Sequence, residues 1–344
     1  MSDFQLSVIV PFYKRDDYAI EIIKLIRTQA IECSIKTELL FVDAESRVYL
    51  DDYLVRENES KYFVCKIYDT VGYVSNKRNL GIKKAKSENI IIMDDDCTPE
   101  KDFLKSHLKS LEASNNKSVF CGMVYYRKEL IKQSNYFKFR EKRHRIYDND
   151  YLENNRINFH HVVTMNMSFK KKLITENKVF FDETHNEYGY EDIQFGLDLL
   201  SKNIELKTTK ASVIHQDSTP LFLYYKKLKS FFKNYYILFY NKNKKYFNLN
   251  KDSKNIISND IQKYKTLVKV CKLNDYFNNK LFVMKRLLQL LLIFVIPLRI
   301  ILIQYLTLTD KFYFFYSFKI FKLIIYFSLL EAFLDKQELK GKWI

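Results

Sequence analysis

The sequence predicts an α/β protein on a mostly parallel sheet, and three observations carry that expectation: an apolar strand ending in three aspartates, alternating strand and helix patterns before it, and a charge balance that changes near residue 220. The first is the run Asn89-Ile90-Ile91-Ile92-Met93-Asp94-Asp95-Asp96. Four successive apolar residues read as a strand covered on both faces, and the carboxyl ends of such strands are where open α/β sheets take up ligands. Three adjacent carboxylates repel one another and resist burial, so they need water or a cation to stay ionised. A divalent metal carrying a phosphorylated ligand meets that need, and hard oxygen donors suit magnesium or manganese. Taken alone, the triplet reads more readily as an acidic surface turn, and it is the rest of the sequence that reverses this.

The remaining elements follow in order. Residues 6–10 predict a first strand ended by Pro11, and Asp16 with Asp17 caps a helix whose Ala19, Ile22, Ile23, Ile26 and Ala30 share one face. Residues 38–42 form a second strand closing on Asp43, and 62–67 a third. Ser75 caps a helix through Lys86, and 89–93 are the fourth strand. After Pro99 a helix runs to about Leu111, and 119–126 return as a strand. Residues 127–157 are charged and aromatic without a clear period, which predicts a loop or short helices over the site. Residues 162–169 are extended, 191–200 helical with Phe195, Leu199 and Leu200 on one face, and 213–215 a short strand ending on His215. Strand, helix, strand with acidic strand ends is the grammar of a parallel sheet with its site along one rim.

The chain has 344 residues and a formal net charge of +16. Residues 221–344 hold 23 Lys+Arg against 7 Asp+Glu, so the whole excess lies there and the first 220 residues are formally neutral. That excess is interleaved with apolar and aromatic residues, as in 287–298, 300–308 and 312–316, flanked or punctuated by Lys285, Arg286, Lys311, Lys319 and Lys322. Charge mixed with large apolar side chains suits an anionic membrane surface, with lysines snorkelling outward, better than a nucleic-acid groove. Pro297 and Arg299 interrupt the apolar window where a spanning helix tolerates them least, so association in the headgroup plane is favoured over a span. Domains are therefore expected at 1–220 and 221–344. Cys33, Cys65, Cys97, Cys121 and Cys271 are scattered without a Cys-x-x-Cys pair, and no signal peptide precedes Pro11, which together predict reduced thiols and a cytoplasmic setting.

Seven short motifs, in order, resemble family 2 glycosyltransferases of the GT-A fold. They are Ser7 to Tyr13; Phe41-Val42-Asp43-Ala44-Glu45-Ser46; Lys77-Arg78-Asn79-Leu80-Gly81; Met93-Asp94-Asp95-Asp96; Asn166-Met167-Ser168-Phe169; Gly189-Tyr190-Glu191-Asp192; and His215-Gln216. The resemblance covers residues 5 to 220 and implies an inverting, metal-dependent transfer of a hexosyl or N-acetylhexosaminyl group from a nucleoside-diphosphate sugar, UDP-linked, to a glycan or lipid-linked acceptor. Bacterial surface polysaccharide assembly at the inner face of the membrane, without nucleic acid, is the implied setting.

By that resemblance Asp96, His215 and Asp94 converge on Mn2+ or Mg2+, with Asp94 and Asp95 also reaching the ribose or a metal-bound water. Asp192 is the general base at a helix start beside Glu191, where the helix dipole favours its ionised form and Glu191 with a closed pocket raises its pKa. Asp43 and Glu45 face the nucleotide base, Pro11 and Tyr13 the loop beneath it, and Arg78 pairs with phosphate or with Asp43. Asn166 is an acceptor or donor-sugar contact and Tyr190 an acceptor contact, whereas His160 and His161 read as surface. Lys14, Ala44, Ser87 and Asp198 depart from the family's usual residues, and Ala44 weakens the base-binding assignment most. Two other readings are open at this stage. A sugar nucleotidyltransferase would need a glycine-rich loop after the first strand, which residues 11–15 lack, and a non-catalytic membrane-associated glycan-binding protein could keep the same fold.

Overall fold

A computed structural model describes residues 3–43, 59–114, 117–144, 155–184, 190–234, 239, 242–243 and 296–340. Largely apolar stretches make the strands nearest the amino terminus: β1 (Leu6–Phe12), β2 (Thr37–Asp43) and β4 (Asn89–Met93) are buried almost throughout, while β3 (Phe63–Asp69) is half-covered at the edge. Between them lie α1 (Asp16–Glu32) and α2 (Val74–Lys84), and beyond them β5 (Cys97–Pro99), α3 (Phe103–Glu112) and β6 (Ser118–Tyr126). Short helices α4 (Lys128–Gln133) and α5 (Asn135–His144) precede β7 (Asn166–Lys170), α6 (Lys171–Asn177), α7 (Glu191–Ser201) and β8 (Glu205–His215). The sheet has eight strands in the order β3-β2-β1-β4-β7-β6-β8-β5. Pairs β3-β2, β2-β1, β1-β4 and β6-β8 are parallel, while β7 and β5 run antiparallel to their neighbours. The mixed α/β class expected from the sequence is the one observed.

Several boundaries differ from expectation, each for a physical reason. β1 does not stop at Pro11 but pairs with β2 through Phe12, whereas β4 pairs with it only from Ser7 to Ile9. Pro11 therefore lies where the ladder is one-sided, and its missing N–H forfeits no bond to β4. Tyr73, not Ser75, occupies the cap of α2, which ends at Lys84. The expected extended segment 162–169 becomes a strand only from Asn166, where pairing with β4 begins, and the last strand is eleven residues long because β6 pairs along its length.

Two compact units are present, one holding 1–127, 143–186 and 191–217, the other 128–142, 187–190 and 218–344. The first contains the sheet and its main core, with Val8, Val10, Ile22, Ile26, Phe41, Ile91, Met93, Leu104 and Phe120 all buried. The second contains α8 (Leu221–Asn234), α9 (296–308) and α10 (Phe318–Lys340). There Arg299 bonds the buried Glu331, which Lys229 also approaches at 3.5 Å, so the arginine that interrupts the apolar window is paired inside its unit. No described helix is long and apolar enough to cross a membrane; residues 285–295 lie outside the described residues. Cys33, Cys65, Cys97 and Cys121 are free thiols, and Cys271 is likewise outside.

One close approach positions the site. A Cβ on Gly81 of α2 would meet Ile9 Cγ2 of β1 at 2.3 Å, so only glycine lets this helix lie so near the sheet. Gly81→Ala is expected to lower stability by about 1–3 kcal/mol through overpacking, read as a lower urea midpoint at unchanged m-value.

Candidate functional site

Strand order reverses between β1 and β4, and the segments that follow both strands meet at that switch point, the place where open sheets bind ligands. The Tyr13 N–H donates to Asp95 Oδ2 at 2.8 Å, Arg15 Nη1 donates to Asp95 Oδ1, and the same nitrogen lies 3.0 Å from Asp96 Oδ2. Asp95 is 5% exposed, and burial, with Asp96 and Asp94 nearby, pushes its carboxyl up to about 6 against the pull of Arg15.

His215 reaches Asp96 because β5 and β8 pair with Cys97 opposite His215, while the Gln216 N–H donates to the Asp96 carbonyl at 2.7 Å. The imidazole Nε2 is 3.4 Å from Asp96 Oδ1, and Nδ1 is 3.4 Å from the Tyr126 hydroxyl. Burial would raise the Asp96 pKa, but His215 and Arg15 outweigh it and hold this carboxyl below its ordinary value. One carboxylate and one imidazole fit Mn2+ or Mg2+ where phosphate oxygens and water complete the shell. Asp94, expected with them, points elsewhere. Among the described residues no three His, Cys, Asp or Glu side chains gather at metal-binding spacing.

Arg78 is what takes Asp94 away. This guanidinium, 2% exposed, donates from Nη2 to Asp94 Oδ1 at 3.0 Å, from Nη1 to Asp192 Oδ1 at 3.2 Å, and from Nη1 to Glu191 Oε1 at 3.4 Å, with the Phe181 ring 5.3 Å away. Of its two expected partners, phosphate and Asp43, the second belongs to Lys77, the preceding residue. Lys77 Nζ donates to the Phe12 carbonyl and lies 3.9 Å from the Asp43 carboxylate, both side chains being buried.

Asp192 sits in the first turn of α7, where the helix dipole favours a negative charge. Its Oδ1 also accepts from the Thr164 hydroxyl at 2.7 Å. Burial is the largest influence and raises its carboxyl, with Glu191 and Asp94 adding and Arg78 opposing, to about 7. The side chain stays 29% exposed, so solvent or a small ligand reaches it.

The other expected site residues fall as follows. Pro11 is buried within β1, and Tyr13 is exposed with Lys14 and Lys77 nitrogens 5.0 and 5.3 Å from its ring. Glu45 lies outside the described residues. Asn166 requires correction as an acceptor contact: it is fully buried, its Oδ1 meets His107 Nε2 at 2.7 Å, and its Nδ2 donates to the Met123 and Ala211 carbonyls. His107, whose Nδ1 meets Ser168 Oγ at 2.8 Å, is driven by burial to about 4 and is neutral there, so this trio ties α3, β6, β7 and β8 together. Tyr190 is buried with φ +91° and its ring 6.5 Å from Phe239 within the second unit. His161 is half-buried, not surface. Asp198, one of the departures, accepts from Gln194 at 2.8 Å. The sequence assigned no role to Arg15, Lys77 or Thr164: Arg15 lies just beyond the first motif, Lys77 opens the third without a role of its own, and Thr164 carried no signal.

Residues 7–176 match the family model described as Glycosyl transferase family 2. An uncharacterized glycosyltransferase of Rickettsia conorii is 30% identical over 134 residues, which cover 37% of this chain and 20% of that protein. This chain thus spans only 20% of the curated relative it matches. Among solved structures, S. aureus TarS 1-349 aligns with a TM-score of 0.47 at 13% identity, covering 98% of this chain and 92% of that one. The same TarS fragment in complex with UDP-GlcNAc aligns with a TM-score of 0.44 at 18% identity, covering 66% of this chain and 65% of that one.

Removing the shared guanidinium tests the network. Arg78→Met is expected to cost about 1–3 kcal/mol, because it leaves three partly buried carboxylates without their counter-charge. The deficit should shrink as pH falls from 8 to about 5: burial already raises the Asp192 carboxyl to about 7, and without Arg78 it binds a proton in the native state more readily still than in the unfolded chain, so acid favours the native state. Urea unfolding at both pH values measures each statement.

Proposed function

We propose that this protein transfers a sugar, with inversion, from a nucleoside-diphosphate sugar to a glycan or lipid-linked acceptor in the assembly of a bacterial surface glycan. The observation that carries this reading is Asp192, a partly open carboxylate raised to about 7 and bonded through one guanidinium to the aspartate that follows β4. A group that titrates near neutrality accepts a proton from an attacking hydroxyl more readily than an ordinary carboxylate does. The family 2 domain supports the reaction class.

In this reading Asp192 takes the proton of the acceptor hydroxyl as its oxygen attacks the anomeric carbon, and the bond to the diphosphate breaks on the opposite face. Thr164 and Arg78 hold the carboxylate in place. Asp43 and the neighbouring Lys77 line the donor side at the end of β2, and Tyr13 presents its exposed ring on the loop after β1. Asp96 and His215 would hold Mn2+ or Mg2+, which offsets charge developing on the leaving diphosphate. The second reading, a non-catalytic glycan-binding protein, would have no need of a carboxylate raised toward neutrality.

Asp192→Asn is expected to reduce transfer by about 10²–10⁴-fold while nucleotide binding persists. It is scored as nucleotide release from a panel of nucleotide sugars with Mn2+ and an acceptor mixture. Because a base works only when ionised, kcat/KM of the unaltered protein should fall as pH drops through about 7. A flat profile, or full activity in the variant, overturns the base assignment.

We also place the second unit on the cytoplasmic membrane surface as a peripheral element. Leu308, Phe312 and Phe314 are 76%, 61% and 91% exposed, with the exposed Lys311 among them. Lys322 and Lys142 nitrogens lie 4.9 and 5.3 Å from the Phe318 ring, the mixture of cation and aromatic that suits an anionic interface. Co-sedimentation with vesicles containing anionic lipid, lost at high salt and weakened in Phe314→Ser, is the expected result; equal binding to neutral vesicles contradicts the electrostatic part.

A further inference from the structure

Asp95 and Asp96 are compensated by a side chain that no motif singled out. Arg15 immediately precedes α1, and its carbonyl accepts from the Ala19 N–H at 3.0 Å, which fixes its backbone. Its side chain, by contrast, is 44% exposed. Nη1 bonds Asp95 Oδ1 and lies 3.0 Å from Asp96 Oδ2, while the other oxygens of these carboxylates face the Tyr13 N–H and His215 Nε2. Asp94 is met separately by Arg78. One guanidinium on a fixed base therefore covers the open side of two carboxylates, and rotation about its own torsions can lift it away without moving α1.

A donor arriving with a divalent cation changes this balance. The cation carries twice the charge of a guanidinium and approaches carboxylate oxygens more closely, so it competes well for Asp96. A freed arginine fork matches phosphate oxygens bidentately. Resting on the transferase reading above, we propose that Arg15 is the clamp for the donor diphosphate, parked on Asp95 and Asp96 until the divalent cation takes its place. No covalent bond forms or breaks in the exchange; the guanidinium trades carboxylate oxygens for phosphate oxygens.

The test compares the full chain with Arg15→Gln and Arg15→Lys. Mn2+ alone, followed by the electron paramagnetic resonance of the free ion, is expected to bind Arg15→Gln about threefold to fivefold tighter, since a partly exposed ion pair no longer competes. With Mn2+ present, calorimetry with UDP, GDP, ADP and dTDP is expected to show nucleotide binding weakened about tenfold in Arg15→Gln, as for loss of a charged hydrogen bond, with Arg15→Lys in between. Mn2+ binding no tighter in Arg15→Gln overturns the parked state. Equal nucleotide binding by Arg15→Gln and the unaltered chain overturns the clamp alone. An unaltered chain that binds none of the four nucleotides overturns the transferase reading and the clamp with it.

Discussion

One buried guanidinium underlies the arrangement of this site. Arg78 neutralises carboxylates from two distant segments, Asp94 after β4 and Glu191 with Asp192 at the start of α7. Three like charges at such short range would repel one another, and a guanidinium removed from water would cost several kcal/mol without good partners, so each side is tolerable only with the other. Gly81 brings α2 onto β1, and the Phe181 ring lies beside the guanidinium. As a result the rim of β4 and the first turn of α7 are held as one unit.

The same principle recurs along the rim, with a basic side chain set against each carboxylate. Lys77 stands beside Asp43, Arg15 covers Asp95 and Asp96, and His215 faces Asp96 from the last strand. These partners separate the behaviour of neighbouring acids. Asp96 is held below its usual range, whereas Asp192 is raised to about 7. A carboxylate that stays charged suits a cation, and one that titrates near neutrality suits proton transfer; environments that drive two acids apart are how one site obtains both functions. The match of residues 7–176 to the family 2 model accords with that division of labour.

What could be read from residues alone varied with the kind of signal. The strand Asn89–Met93 was legible to its last residue because burial on both faces leaves an unbroken apolar run. The end of the first strand was misjudged at Pro11, since a proline stops a ladder only where a neighbour needs its N–H. Asp96 and His215 could be named together only by analogy of motif order; the pairing of Cys97 with His215 is what brings them within 3.4 Å. Asn166 was expected as a ligand contact from its place in the motif Asn166 to Phe169, yet His107 and two carbonyls use its polar atoms inside the core.

By itself the chain determined its layered α/β class, the delivery of three aspartates to one strand end and the confinement of excess positive charge to residues 221–344, because burial periodicity and charge are local properties of composition. Which cation serves which acid was decided by tertiary structure. Arg15, Lys77 and Arg78 are similar basic residues on paper, and only the strand order and the approach of α2 to β1 give each its carboxylates. The physical reason is distance: electrostatic pairing depends on separations of a few ångströms between segments as far apart in sequence as Arg78 and Asp192, and no periodicity encodes such separations.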